Sequence, residues 1–147
     1  NIWHQTGVKH LESVKLAYKN NPNTNLCIEP FIENMAEAYA WADVVVCRAG
    51  AMTVSELVAT KTIAILVPFP YAVDNHQTKN AQFLSDHGAG ILLEESLLNT
   101  EALDMQLRSL NTNKLKDMTS ALESLQIACP EKTIVDYILI PNRSKSS

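Results

Sequence analysis

The chain has 147 residues, of which 46% are hydrophobic and 19% are charged, and its formal net charge at neutral pH is -4. A single domain with a buried core is the natural expectation for this length and composition. Nucleic-acid binding is disfavoured, because phosphate neutralisation requires clusters of Lys and Arg that this chain lacks. The longest apolar run, residues 63–67, is far too short to span a membrane.

The cysteines and the first residues indicate a reducing compartment. Cys27, Cys47 and Cys129 are widely spaced and include no Cys-x-x-Cys pair, so neither a zinc site nor a redox dithiol is predicted. We expect all three to be buried free thiols. No basic region followed by an apolar stretch opens the chain, and no secretion signal is therefore predicted.

Five short runs of β-branched and aliphatic residues predict strands along the chain. They span residues 2–4, 26–28, 44–47, 63–67 and 91–93. Helical patterns lie between them, and two of these have a clear face: Leu11, Val14 and Tyr18 in one, and Asn80, Phe83, Leu84 and His87 in the other. The second stripe ends at Gly88, a predicted C-cap. Strands that alternate with helices predict a parallel sheet covered on both faces.

After residue 93 only helical patterns follow. Apolar residues repeat with helical spacing at Leu115, Met118, Leu122, Leu125 and Cys129. A further apolar segment spans residues 131–140, and a polar tail begins at Asn142. The predicted fold class is α/β, a doubly wound parallel sheet closed by C-terminal helices. Residues 1–141 are predicted to form one domain and residues 142–147 the tail.

The turn after the third predicted strand is a candidate anion site, because ligands of parallel sheets bind beyond the carboxyl ends of the strands. Residues 48–52 are small apart from Arg48 and Met52, and Thr53 and Glu56 then have the spacing of a helix capping box. Free N–H groups and the dipole of a helix start attract phosphate. Taken alone, the same residues equally suit a simple cap, since no G-x-G-x-x-G or Walker loop is present.

Two other turns after strands carry further candidates. His76 and Gln77 stand where a helix is predicted to start, and their side chains suit sugar hydroxyls, although a solvated helix start is an alternative. Phe31 and Ile32 follow the second strand. One interpretation is that both are core residues. The other is that the exposed backbone and the neighbouring aromatic ring hold a flat base by hydrogen bonds and stacking.

Together these residues resemble the MurG-type glycosyltransferase family, which adds N-acetylglucosamine from a UDP donor to undecaprenyl-pyrophosphoryl-N-acetylmuramyl-pentapeptide in peptidoglycan synthesis. The resemblance runs through residues 2–7, 31–32, 40–56, 67–69 and 74–77, and it is most specific at residues 47–56. It implies the GT-B fold, in which this chain is similar to the Rossmann-like, C-terminal, donor-binding half without its first strand. Full-length members are expected at the cytoplasmic face of the bacterial inner membrane, as peripheral proteins.

The resemblance implies that nine residues contact UDP-N-acetylglucosamine: Ile32, Arg48, Gly50, Ala51, Met52, Thr53, Glu56, His76 and Gln77. The Ile32 backbone would pair with uracil, residues 51–53 would hold the diphosphate, and Glu56 would accept from the ribose hydroxyls. The pair at residues 76–77 would reach the sugar and the nearby phosphate. Two positions depart from the family pattern, since Ala49 stands where many members have Ser and His76 where some have Gln.

Loss of UDP requires stabilisation of the departing diphosphate, which a helix N-terminus supplies without a metal. The chain has no Asp-x-Asp pair, and neither metal nor other cofactor is predicted. By the resemblance, the base, the site of the lipid-linked acceptor and the membrane-facing patch lie in the N-terminal half, so this chain alone is expected to be inactive. Two alternatives are the donor-binding subunit of a split dolichol-linked N-acetylglucosaminyltransferase and a non-catalytic nucleotide-binding module.

Overall fold

A computed structural model describes residues 1–19, 21 and 25–128. Cys129, the apolar segment at residues 131–140 and the tail lie outside the described residues. The chain divides into two compact units, residues 1–41 and the part from Ala42 onward. Within the described part, no helix is both long and apolar enough to cross a membrane.

In its described residues, the first unit contains a parallel pair of strands and two α-helices. Its elements are β1 (Ile2–Gln5), α1 (Leu11–Tyr18), β2 (Leu26–Glu29) and α2 (Met35–Trp41). The two strands pair from Ile2 opposite Leu26 to Gln5 opposite Glu29. Backbone pairing continues beyond the strands, because the N–H of Thr6 donates to the Glu29 carbonyl at 2.9 Å.

Aromatic side chains hold the helices of this unit to its strands. The indole N–H of Trp3 donates to Glu29 Oε2 at 2.7 Å, and its ring meets that of Trp41 edge-on at 5.7 Å between centroids. His4 and Tyr18 make a second edge-on contact at 5.8 Å. Such edge-to-face contacts are favoured by the ring quadrupoles, so β1 is tied to both α1 and α2.

The described part of the second unit is a three-stranded parallel sheet with four α-helices. Its elements are β3 (Val45–Cys47), α3 (Ala51–Thr60), β4 (Ala64–Leu66), α4 (His76–Asp86), β5 (Ile91–Leu92), α5 (Thr100–Ser109) and α6 (Thr112–Ala128). The strand order is β3-β4-β5, and all three residues of the central strand are fully buried. The largest fully buried side chains are Val54, Leu57, Val58, Ile65, Leu66, Leu84 and Leu122.

The predicted α/β class and the parallel pairing are confirmed, and all five strands lie within one residue of their predicted bounds. The described strands do not form the single hydrogen-bonded sheet that was predicted. They form a two-stranded sheet and a three-stranded sheet. The predicted burial of Cys27 is wrong, since it is exposed. Cys27 alternates with the half-buried Leu26 and Ile28, and successive strand side chains point to opposite faces. His87 is also exposed, whereas Asn80 and Leu84 of the same predicted stripe are buried.

The predicted end of α4 at a glycine is confirmed. Gly88 has a φ of 68°, its N–H donates to the Ser85 carbonyl at 2.9 Å, and the N–H of Ala89 donates to the Leu84 carbonyl at 2.8 Å. This pair of bonds is the Schellman motif, which requires a left-handed residue where glycine is least strained.

We expect Gly88→Ala to lower the free energy of unfolding by about 1–2 kcal/mol, the cost of a left-handed L-residue. A Cβ atom at this position meets nothing within 4 Å, so the loss comes from the backbone conformation rather than from a clash. Urea unfolding of the full-length protein measures it. Gly88→Asn is the matched control and should lose less, because Asn tolerates this conformation. Equal stability of all three proteins would contradict the assignment.

Candidate functional site

The start of α3 presents backbone N–H groups that have no partner in the helix. Its N-cap is Gly50, which has an extended backbone (φ -65°, ψ 152°) and makes no side-chain cap. The first helical bond runs from the N–H of Val54 to the Gly50 carbonyl at 3.0 Å. The N–H groups of the three preceding residues, 51–53, therefore lack intrahelical acceptors. Together with the helix dipole they form an arrangement that attracts an anion.

The predicted capping box at Thr53 and Glu56 is wrong. The helix begins at Ala51, so Thr53 is already inside its first turn and is not the N-cap. The apolar residues that α3 buries begin at Val54, and the small Gly50 with its extended backbone allows the helix to start before them. Glu56 is half-buried in the second turn. Thr53 and Glu56 therefore do not occupy the positions of a capping box at the start of this helix.

Asn80 fixes the turn between β3 and α3. Its side chain is only 3% exposed, and its Nδ2 donates to the carbonyl of the fully buried Ala49 at 2.9 Å. A buried amide or carbonyl left without a partner costs about 1–3 kcal/mol, so this bond holds the turn in one conformation. The sequence predicted Asn80 in one helical stripe with Leu84 but gave no sign of its partner, which lies 31 positions away.

Arg48 joins the ends of two strands. Its guanidinium donates to the Val67 carbonyl at 3.3 Å and to the Pro68 carbonyl at 3.4 Å, and it donates to Glu95 Oε1 at 2.9 Å. It also lies 5.5 Å from the centre of the Phe69 ring. The hydrogen bond from Arg48 lowers the pKa of the Glu95 carboxyl. The Glu95 carboxylate therefore stays ionised, and the ion pair persists, to a lower pH than an ordinary glutamate would allow. In this structure Arg48 therefore connects the segment after β3 to the segment after β4.

The start of α4 brings His76 and Gln77 to the same edge of the sheet as the start of α3. Each helix follows one of two parallel neighbouring strands, and such strands end at one edge. Gln77 Oε1 accepts from the N–H of Phe69 at 2.9 Å, which leaves its Nε2 group as a donor. His76 Nε2 lies 3.8 Å from Asp74 Oδ2. Both predicted residues are half-buried, as expected for side chains that line an open edge.

The thiol of Cys47, the last residue of β3, is not a nucleophile. Burial raises the pKa of the Cys47 thiol to about 11. Near neutral pH only the thiol is therefore populated, whereas nucleophilic attack requires the thiolate. Among the described residues no group of His, Cys, Asp and Glu has the arrangement of a metal site.

The first unit contains a separate candidate at the turn after β2. Phe31 is 66% exposed, whereas the Ile32 side chain is buried at 8%, so the core interpretation holds only for Ile32. The Ile32 N–H donates to Gln5 Oε1 at 2.8 Å. A cavity of about 290 Å³ opens beside these residues, and its lining also includes Trp3, Glu29, Glu33 and Glu37. The three glutamates repel a phosphate group here, because both are negatively charged, but they do not repel an uncharged ring.

The fold and these turns define a parallel α/β domain of the Rossmann-like kind, with an anion-attracting helix start at the carboxyl edge of a sheet. A family model described as the glycosyltransferase family 28 C-terminal domain matches residues 1–134, and the chain belongs to this family. A solved structure, the crystal structure of Acinetobacter baumannii MurG, matches with a TM-score of 0.78 and 39% identity. The match covers 94% of this chain and 42% of that one.

Two proteins of known name are more similar in sequence to this chain than the Acinetobacter baumannii protein is. The chain is 51% identical over 142 residues to a protein of Vesicomyosocius okutanii, and 47% identical over 140 residues to one of Marinobacter nauticus. Both are named UDP-N-acetylglucosamine--N-acetylmuramyl-(pentapeptide) pyrophosphoryl-undecaprenol N-acetylglucosamine transferase. The matches cover 95% and 94% of this chain, but only 40% and 38% of these relatives. The chain thus spans about two fifths of their length.

We expect Asn80→Ala to lower the free energy of unfolding by about 1–3 kcal/mol, because it leaves the buried Ala49 carbonyl without a donor. Asn80→Asp tests the direction of the bond. A protonated carboxyl group can donate to this carbonyl and an ionised one cannot, so folding raises the pKa of the introduced group. The variant should therefore be most stable at acidic pH and lose stability as the pH rises. Urea unfolding from pH 4 to pH 8 measures this, and a flat difference from the parent protein would contradict it.

Proposed function

We propose that this chain supplies the donor site of an N-acetylglucosaminyltransferase that uses UDP-N-acetylglucosamine and an undecaprenyl-linked N-acetylmuramyl-pentapeptide. The observation that carries the proposal is the uncapped start of α3, in a sequence about half identical to relatives named for this reaction. A set of N–H groups without intrahelical acceptors, at a helix start whose N-cap has no side chain, suits a diphosphate.

The diphosphate is assigned to residues 51–53 at the start of α3. Gly50 has no side chain to obstruct the approach of the phosphates, and the Thr53 hydroxyl adds a donor. As the bond to the sugar breaks, negative charge accumulates on the departing UDP. N–H groups and a helix dipole that are already oriented stabilise that charge without reorganisation. The bond from Asn80 to Ala49 keeps these donors oriented between turnovers.

The ribose is assigned to Glu56. Thr53 and Glu56 are three positions apart in α3, and residues at this spacing lie on the same face of a helix. A ligand whose phosphate contacts Thr53 therefore has its next group near the Glu56 carboxylate. Two adjacent ribose hydroxyls would donate to this carboxylate, and such charge-assisted bonds are about twice as strong as neutral ones.

The sugar is assigned to His76 and Gln77. Because Gln77 Oε1 is held by the N–H of Phe69, its Nε2 group is oriented before a ligand arrives. Arg48 acts on the same segment, through its bonds to the carbonyls of Val67 and Pro68. We therefore assign Arg48 to the positioning of the sugar-binding segment.

The uracil is assigned to the first unit, at the backbone of Ile32 beside the exposed Phe31 ring. We place the acceptor site and the catalytic base outside this chain, and the protein itself at the cytoplasmic face of the inner membrane. Residues 1–141 form the donor domain in this proposal, residues 142–147 a polar tail, and neither nucleic acid nor a metal cofactor takes part.

Glu56→Gln in the full-length protein tests the assignment of the ribose. Glutamine can keep most of any bond that this side chain makes within the protein, so the replacement should change the free energy of unfolding by less than about 1 kcal/mol, the scale of one cap. The loss of charge-assisted bonds should lower kcat/KM for UDP-N-acetylglucosamine by about tenfold or more. Steady-state kinetics and urea unfolding of the same preparations measure the two effects.

Glu101→Gln is the matched control, since Glu101 is exposed in the first turn of α5 and has no part in the proposed site. It removes the same charge and should leave kcat/KM unchanged. A Glu56→Gln protein that is destabilised but uses the donor normally would show that the carboxylate is structural, and the ribose would then have to bind elsewhere.

A further inference from the structure

Glu95 completes the hydrogen bonding of Arg48, and it is not one of the residues assigned to the donor. It lies shortly after β5, where the N–H of Leu93 extends the pairing of this strand by donating to the Leu66 carbonyl at 2.9 Å. Its Oε1 accepts from Arg48 Nη2 at 2.9 Å across 47 positions of sequence. Arg48 directly follows β3. The ion pair therefore connects the two outer strands of the β3-β4-β5 sheet at their carboxyl ends.

The other arm of the guanidinium contacts the segment between these ends, which follows the central strand. Arg48 Nη1 donates to the carbonyls of Val67 and Pro68 at 3.3 and 3.4 Å, and the guanidinium carbon lies 5.5 Å from the centre of the Phe69 ring. Both carbonyl bonds are long for N–H···O bonds, and a long arginine side chain has many rotamers to lose. The shorter bond to Glu95 therefore determines where the guanidinium is held.

The same segment carries the bond that orients Gln77. Gln77 Oε1 accepts from the N–H of Phe69 at 2.9 Å, so a shift of the Phe69 backbone moves the Gln77 amide with it. The contacts thus run from the ion pair to residues 67–69, and from there to Gln77. An exposed ion pair contributes little to stability, and the two side chains of this pair are 47% and 36% exposed. Its main effect is therefore on the position of the segment.

We propose that Glu95 is a positioning residue for the sugar end of the donor site, acting through Arg48 on the segment that orients Gln77. This proposal rests on the proposed function and adds to it a residue that does not itself contact the donor. The hydrogen bond from Arg48 lowers the pKa of the Glu95 carboxyl, so the pair is ionised at neutral pH. Because the contacts lead to the sugar and not to the start of α3, binding of the nucleotide part does not depend on them.

A competing account makes Glu95 a holding site that Arg48 leaves for the diphosphate when the donor binds. The contacts of Arg48 favour a fixed position instead. A departing guanidinium would give up two carbonyls and the Phe69 ring together with the carboxylate. The two accounts make opposite predictions. Removal of Glu95 frees Arg48 for the phosphates in the competing account, whereas it loosens residues 67–69 in the proposed one.

Glu95→Ala in the full-length protein separates the two accounts. It removes the acceptor, so we expect kcat/KM for UDP-N-acetylglucosamine to fall by about three- to tenfold, the effect of one weakened polar contact. The affinity for UDP, which lacks the sugar, should stay within about twofold of the parent value. The midpoint of urea unfolding should stay the same, because the pair lies at the surface. Steady-state kinetics, calorimetric titration with UDP and urea unfolding of the same preparations measure the three quantities.

Glu95→Gln and Glu94→Ala complete the experiment. Glu95→Gln keeps an oxygen that can accept from Arg48, so it should recover most of the lost kcat/KM. Glu94 is the neighbouring exposed carboxylate, and it accepts from Ser96 Oγ at 3.4 Å instead. Glu94→Ala removes the same charge and should keep the parent kinetics, which separates an effect of position from a general effect of charge.

The outcomes for the parent protein and the variants are separable. A parent protein that does not bind UDP would overturn the proposed function and this inference together. An active parent protein whose kcat/KM is unchanged in Glu95→Ala, or falls equally in Glu94→Ala, would overturn only the role of Glu95. Tighter UDP binding by Glu95→Ala would overturn that role in favour of the holding site, and an equal loss of UDP affinity or a lower urea midpoint would overturn it in favour of a general structural role. A fall in kcat/KM with UDP affinity retained, and recovery in Glu95→Gln, supports it.

Discussion

The hydrogen bond from Asn80 to the Ala49 carbonyl is the contact on which the second unit's site depends. It connects α4 to the turn that precedes α3, and both groups are buried. A buried bond between neutral groups is costly to leave unmade, so the turn has one favoured conformation. The N–H groups of residues 51–53 consequently keep their direction when no ligand is present, which is the preorganisation that charge stabilisation in a transition state requires.

Two glutamine side chains make a structural hydrogen bond through the amide oxygen. Gln77 uses its oxygen on the N–H of Phe69, and Gln5 uses its oxygen on the N–H of Ile32. In each case the amide nitrogen remains as an oriented donor. Arg48 is different, because its guanidinium contacts two carbonyls and Glu95. Amide side chains suit this dual use, since they carry an acceptor and donors on separate branches.

The local features of the fold were predictable from the sequence and the long-range contacts were not. The strands were predicted to within one residue, because each is a short apolar run bounded by turn residues, and the left-handed Gly88 ended α4 as its position indicated. The capping box was mispredicted, because a Thr three positions before a Glu occurs inside helices as well as at their starts. The partners of Arg48 and Gln5 lie 47 and 27 positions away, and no local pattern encodes them.

The proposed donor site depends most on the start of α3, which we propose binds the diphosphate. The most direct test is an NMR titration of the full-length protein, with the backbone amides of Ala51, Met52 and Thr53 labelled with nitrogen-15 and followed during addition of UDP or uridine. We expect UDP to shift these three amide signals, and uridine, which lacks the phosphates, to leave them in place. If UDP binds and shifts other amides while these three remain unchanged, the diphosphate binds elsewhere and the start of α3 is not its site.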